Sequence, residues 1–436
     1  MKGKCCSPQK TQINAEFVVL SLPNSVNFEK EKNQMLKFSP PRLDQKTVDE
    51  VAKVLLSGWI TTGPKTKLFE EKLTDYVGCK KTICLNSATA GLELVARWFG
   101  IKEGDEVIVP AYTYCASANI ILHCGARPVF VDCDIKDFNC SVEAIKAKIT
   151  DKTKMIIPVD VSGWPCDYDE INALVNHPEI KAKFKANTEE QRQLGRILVM
   201  SDAAHSIGAT YKGQKTGSLT DVTIFSFHAV KNLTTSEGGA VCFNLPEPFD
   251  HEEVYKTFNM KSLHGQSKDA LAKTQVGNWR YDVLEPGYKC NMMDVQAAIG
   301  LVELERYDET LKRRKEIFEF YTSKLGKYEW AIIPDYKNDI KESSYHLYLL
   351  RVKNATEDQR DKIIEKIFEK EVSVNVHFQP LPLLTAYKER GYKMDDYPEA
   401  FKKYENVITL PVYYNLTDEN LNTVVDAVVR SVEEVV

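Results

Sequence analysis

The stretch VTIFSFHAVKNLTTSEGGAVCF, Val222–Phe243, places a polar interval containing Lys231 between two apolar runs. Both runs read as short buried strands, because β-branched and aromatic residues bounded by turn formers favour a packed, pleated segment. A lysine normally stays hydrated at a surface. One bracketed by buried strands and followed by Gly238 and Gly239 is partly desolvated, loses proton affinity and becomes a usable nucleophile.

On both sides of this stretch the chain alternates between strands and helices. KTICLN leads into SATAGLELVARWFG, and EVIVP into TYCASANIILHCG; RPVFVD, KMIIPVD and RILVMSD follow as further short apolar runs. Such alternation predicts parallel strands with crossover helices, an α/β sheet covered on both faces. The polar run NHPEIKAKFKANTEEQRQLGR, residues 176–196, interrupts the rhythm and reads as a solvated surface insertion without chemistry. Downstream, Val295, Ile299, Val302, Leu311 and Phe318 form an apolar stripe that predicts one long helix bridging two domains. YHLYLLRV, a helix over EDQRDKIIEKIFEKE, VSVNVHF and a terminal helix then predict a small α+β domain. The expected division is 35–290 for a large domain and 291–436 for the bridging helix and small domain. Residues 1–34, where only FVVLSL stands out, read as a poorly ordered N-terminal extension.

A length of 436 residues allows a large core, and 57 basic against 62 acidic residues leave a net charge of −5. That balance lacks the basic excess expected of nucleic-acid or anionic-membrane binding. Small molecules are the expected partners. The eleven cysteines form no CxxC pair, which suggests neither a zinc site nor a disulfide framework, and a reducing cytoplasm fits. Cys5 and Cys6 lack the signals of a lipidation site. No apolar run is long enough to span a bilayer.

Three features could join Lys231 in one site. Asp202 ends the strand in RILVMSDAAHSIGA, and ligands of open parallel sheets collect beyond the carboxyl ends of strands. Ser87 and Thr89 open a helix, whose N-terminal N–H groups could hold a phosphate or be capped by those hydroxyls. Tyr114 in PAYTYCASAN follows another strand end and could stack on a heteroaromatic ring. Together an anion site, an aromatic, a carboxylate and an amine describe a cradle for pyridoxal phosphate.

These motifs resemble the DegT/DnrJ/EryC1/StrS family of sugar aminotransferases, of aspartate-aminotransferase-like fold. The likeness runs from about Met35 to the C-terminus through SGWITTGPKTKLFEEKL, GDEVIVPAYTY, GARPVFVDCD, SDAAHSIGA, SFHAVKNLTTSEGGAV, PGYKCNMMDVQAAIG and VNVHFQPLP. The resemblance implies that Lys231 bonds to the cofactor aldehyde, Asp202 pairs with the pyridine nitrogen and His205 lies beside the ring hydroxyl. It further implies that Ala88, Thr89 and Ser226 hold the phosphate, that Tyr114 stacks on the ring, and that Asn291 reaches the phosphate of a neighbouring subunit in a homodimer with shared sites. His346 and His377 fall at positions near the substrate, and each could equally be a strand histidine with a satisfied hydrogen bond. His228 could shape the site or fill the turn.

Many members read GYNYRM where this chain reads GYKCNM, which exchanges the basic residue and the asparagine between positions 289 and 291. That variant is more similar to the branch that includes the UDP-4-amino-4-deoxy-L-arabinose aminotransferase. The implied reaction is a ping-pong transamination from L-glutamate to a keto group, at C4, of a nucleotide-linked sugar, serving cell-surface polysaccharide or lipopolysaccharide synthesis. Three alternatives stand beside it. A dehydratase of the same fold would carry histidine in place of Lys231, a regulator would bind the cofactor without turnover, and a nicotinamide-dependent oxidoreductase would need the GxGxxG turn this chain lacks.

Overall fold

The structure, a computed structural model, describes residues 35–267 and 280–436. The N-terminal extension, its FVVLSL run and Cys5 and Cys6 lie outside the described residues.

The main sheet is built from β1 (Lys81–Leu85), β2 (Glu106–Pro110), β3 (Arg127–Val131), β4 (Thr153–Ile156) and β5 (Leu198–Asp202), joined after a short hairpin by β8 and β9. That hairpin is β6 (Thr210–Tyr211) with β7 (Gln214–Lys215), while β8 is Val222–Ser226 and β9 is Gly239–Phe243. The seven strands are ordered β1-β9-β8-β5-β4-β2-β3. From β8 to β3 neighbouring strands run parallel, as the alternation predicts, but β9 is antiparallel to both β8 and β1. The exception has a simple cause. The connection from β8 to β9 contains no helix to carry the chain across the sheet, so the two strands pair as a hairpin.

Period-two alternation divides the side chains between two layers. Val241 and Phe243 of β9 pack with Leu92, Val95 and Trp98 of the helix Ala88–Trp98. Ala240 and Cys242 face the other way, towards Phe69 and Leu73 of the helix Pro64–Val77. Burial on both faces accounts for strands that read as unbroken apolar runs.

A second core lies towards the C-terminus, where β10 (Ala331–Ile332), β12 (Tyr348–Val352) and β13 (Val407–Leu410) form an antiparallel sheet. β11 (Lys341–Glu342) instead joins β6. Ile363 and Ile367 of the helix Glu357–Glu369, and Val424 and Val428 of the helix Asp418–Glu433, cover this sheet. The segment read as a strand, 372–378, makes only isolated bridges, Val372 with Leu36 and Asn375 with Thr409 on β13.

The predicted bridging helix is two helices, Asp294–Glu305 and Tyr307–Leu325, broken at Arg306 with φ −107° and ψ 13°. Polar anchors cause the break. Arg306 pairs with Glu303 and Asp44 and donates to the Arg42 carbonyl at 2.9 Å, while the Tyr307 hydroxyl donates to the Ile207 carbonyl at 2.8 Å.

The polar insertion is ordered and anchored. Ile180, Gln191 and Leu194 of its two short helices are buried, and Gln191 Nε2 donates to the carbonyl of Phe99 at 2.8 Å. Phe99 is the C-cap of the helix Ala88–Trp98.

Candidate active site

A cavity of about 630 Å³ opens beyond the carboxyl ends of β5 and β8. Ala88, Thr89, Tyr114, Asp202, His205, Ser226, Lys231, His346 and His377 all line it. Of the residues singled out in the sequence, Asn291 does not. Its Nδ2 donates to Thr62 Oγ1 at 2.6 Å and its Oδ1 accepts from Lys289 at 2.5 Å, outside the cavity wall.

Asp202, the last residue of β5, is buried. Its Oδ2 accepts from Ser117 Oγ at 2.7 Å and its Oδ1 from the Ala204 N–H at 3.2 Å. Burial raises its pKa, while the Ser117 hydroxyl, the Ala204 N–H and the Lys231 charge pull it back. Lys231 stands five residues beyond β8, half-buried. Burial pushes its pKa down to about 8, against the opposing pull of Asp202. An amine in that range is still mostly charged at pH 7 and about half free at pH 8, far more available than an ordinary lysine.

Ser87 caps the helix Ala88–Trp98, its Oγ accepting from the Ala90 N–H at 3.1 Å. The first N–H groups of a helix have no partner inside it and sit at the positive end of its dipole. β9 approaches this terminus so closely that a Cβ on Gly239 would lie 2.4 Å from the Ala88 nitrogen. Ser226, at the end of β8, pairs with Gly239 in the ladder. These groups form a cradle fit for an anion.

Around the mouth, Tyr114 is 61% exposed and its ring tilts against Phe378 at 6.1 Å. The Phe378 ring lies stacked at 5.7 Å from that of His205, and Phe38 stacks at 5.6 Å on His377. His377 Nδ1 meets Thr409 Oγ1 at 3.1 Å, and burial together with the Lys231 charge lowers its pKa to about 4. His228 remains half-exposed, 3.6 Å from Glu237. Sequence reasoning missed Ser117, Asn232, Phe38 and Phe378. Asn232 beside Lys231, Phe378 beside His377 and Ser117 within PAYTYCASAN each carried a positional signal; Phe38 reaches the cavity from a separate segment.

The DegT/DnrJ/EryC1/StrS aminotransferase family model matches residues 41–429. The chain belongs to that family. Spr1654 of Streptococcus pneumoniae, assigned as a sugar aminotransferase, is 46% identical in its PMP-form, with a TM-score of 0.89 over 92% of this chain and 100% of that one. The same protein has also been solved in a PLP-form. The spore coat polysaccharide biosynthesis protein SpsC of Bacillus subtilis is 37% identical, the match covering 91% of this chain and 97% of that protein. PseC of Helicobacter pylori, an aminotransferase in the biosynthesis of pseudoaminic acid, is 25% identical, with a TM-score of 0.79 over 92% of this chain and 100% of that one.

The family depends on pyridoxal phosphate, and this member's cavity fits it. The His205 ring lines the cavity, and its Nδ1 is buried with no protein partner, so the site holds a polar atom that the chain itself does not satisfy. Gly239, lacking a Cβ, leaves the N–H cradle open, and Lys231 and Asp202 present an amine and a carboxylate to the same cavity. The chain is thus an aminotransferase of the sugar-modifying family.

Proposed function

We propose that this enzyme moves an amino group from L-glutamate to the C4 keto group of a nucleotide-linked sugar, a UDP-linked hexose or pentose, in a cytoplasmic step of cell-surface polysaccharide or lipopolysaccharide synthesis. One observation supports it above the rest: a half-buried lysine with its pKa near 8 shares a cavity with a buried strand-end carboxylate and a helix N-terminus. When bound, pyridoxal phosphate supplies an aldehyde that takes up nitrogen and a ring that withdraws electrons.

The chain's own residues do the rest. Lys231 is the nucleophile that holds the cofactor and, once displaced, the base that removes and returns the proton on the substrate carbon. Asp202, negative because Ser117, Ala204 and Lys231 favour its ionised form, would keep the pyridine nitrogen protonated. His205 would lie at the ring hydroxyl, Tyr114 across the ring face, and Ala88, Thr89 and Ser226 at the phosphate. His346 and His377 would contact the sugar. The division of labour follows 35–290 for the cofactor and 291–436 for the small domain.

A homodimer with shared sites suits the exposure of Tyr114 and Val230 at the mouth, and Asn291, turned away from its own cavity, would serve the neighbour's phosphate. Two measurements test the proposal. Borohydride treatment of the loaded protein should place the cofactor's mass on Lys231 in a digest. Mass spectrometry of keto-sugar nucleotides incubated with L-glutamate should show an amino sugar; no product across UDP and dTDP sugars, with the cofactor bound, would refute the transfer reading.

A further inference from the structure

Asn232 follows Lys231, is buried, and sets its amide between the Ser344 carbonyl and the His346 ring. Its Nδ2 donates to the Ser344 oxygen at 2.7 Å. A carbonyl oxygen only accepts, so the nitrogen end of the amide has to face Ser344. The oxygen end therefore faces His346 Nδ1, 2.8 Å away. That oxygen accepts only, which places the ring proton on Nδ1 and leaves Nε2 with a lone pair.

The backbone that carries the ring is held as firmly. Arg314 Nε and Nη2 donate to the carbonyls of Tyr345 and His346 at 2.9 and 2.8 Å. Ser344 Oγ donates to the His205 carbonyl, and the His205 and His346 rings lie 4.4 Å apart.

We propose that Asn232 is a positioning residue that fixes His346 as a neutral imidazole, protonated at Nδ1 and offering Nε2 to the cavity as a hydrogen-bond acceptor. His346 then binds a donor, such as a sugar hydroxyl or an amine, and does not itself supply a proton. The nature of that donor rests on the aminotransferase reading; the tautomer does not. The groups facing the ring agree. His205 after β5, Lys231 between β8 and β9, His377 ahead of β13 and Arg314 on the helix Tyr307–Leu325 are cations or rings that gain nothing from a charged neighbour, and with burial they hold His346 well below the usual histidine range.

The test uses the full chain loaded with cofactor and labelled with ¹⁵N-histidine, with His346 assigned by its loss in His346→Gln. Long-range ¹H–¹⁵N spectra should show Nδ1 protonated and Nε2 bare, unchanged from pH 6 to pH 9. Asn232→Leu removes the acceptor and should move the proton to Nε2. Asn232→Asp places a carboxylate at Nδ1 and should raise the ring's titration by about one unit or more. Protonated Nε2 in the unsubstituted protein overturns the proposal, whether or not either variant folds; so does a His346 pattern indifferent to both substitutions. These spectra report on one ring and remain valid if no amino transfer is found, so the two readings fail separately.

Discussion

Burial opposes the charge on both Asp202 and Lys231, and each partly restores the other's. Two predictions belong to this pair. Asp202→Asn keeps shape and removes the charge; transfer should fall by about 10²–10⁴-fold in kcat, with a thermal midpoint close to the parent's, measured by glutamate-dependent turnover and calorimetry. Ser117→Ala removes the hydroxyl that stabilises the carboxylate, so Asp202 should titrate at higher pH. The acid limb of the activity profile should shift up, with a loss of about tenfold or less near neutrality.

Lys231 gives a prediction about folding with a definite sign. In the folded cofactor-free chain it releases its proton near pH 8 rather than at the ordinary 10.5. Between those values the unfolded chain binds more protons, so stability rises with pH across that window. Below pH 8 the amine is charged in both states, and its desolvation weighs fully against folding. Lys231→Met should flatten this rise, as read from urea unfolding at pH 7.5 and 10.

At the scale of elements, the site depends on the hairpin of β8 and β9 lying against the start of the helix Ala88–Trp98. A methyl on Gly239 would meet backbone at 2.4 Å, with no side chain to swing aside. Gly239→Ala should destabilise by about 1–3 kcal/mol and weaken cofactor retention, measurable by unfolding and by absorbance after gel filtration.

The strand-end Asp202, the bracketed Lys231 and the capped helix were legible because each depends on a local pattern: an apolar run, a breaker, a hydroxyl before a periodic segment. The antiparallel pairing of β9, the break at Arg306 and the loss of strand pairing over 372–378 were not. The first follows from a β8–β9 connection with no crossover helix, a cue that the strand–helix alternation elsewhere overshadows. The last two are decided by contacts between distant segments, such as Arg306 with Asp44 or Asn375 with Thr409, and an apolar stripe carries no record of them. The same holds for Ser117 and Phe378, which reach Asp202 and His205 only through the fold.

For the whole molecule, the described residues contain no helix long and apolar enough to cross a membrane. They do expose apolar side chains, among them Leu55, Ile60 and Leu56, the last 88% exposed, around the end of the helix Gln45–Ser57. Large apolar groups gathered at a surface mark contact sites. If this is where the proposed homodimer meets, Leu56→Glu should lower the sedimenting mass towards a monomer and reduce turnover with it; an unchanged mass would place the interface elsewhere.

The insertion over residues 176–196 acts at a distance through one carbonyl. Gln191 and Thr188 both donate to Phe99, and Gly100 lies so close beneath Thr188 that a Cβ there would meet it at 2.2 Å. What looks like decoration on the outer surface is therefore a clamp on the tail of the rod whose opposite tip lines the cavity. Shortening this detour should let that tail fray, and under the proposed cofactor reading the slackness would reach the far end as weaker cofactor retention, read by absorbance titration.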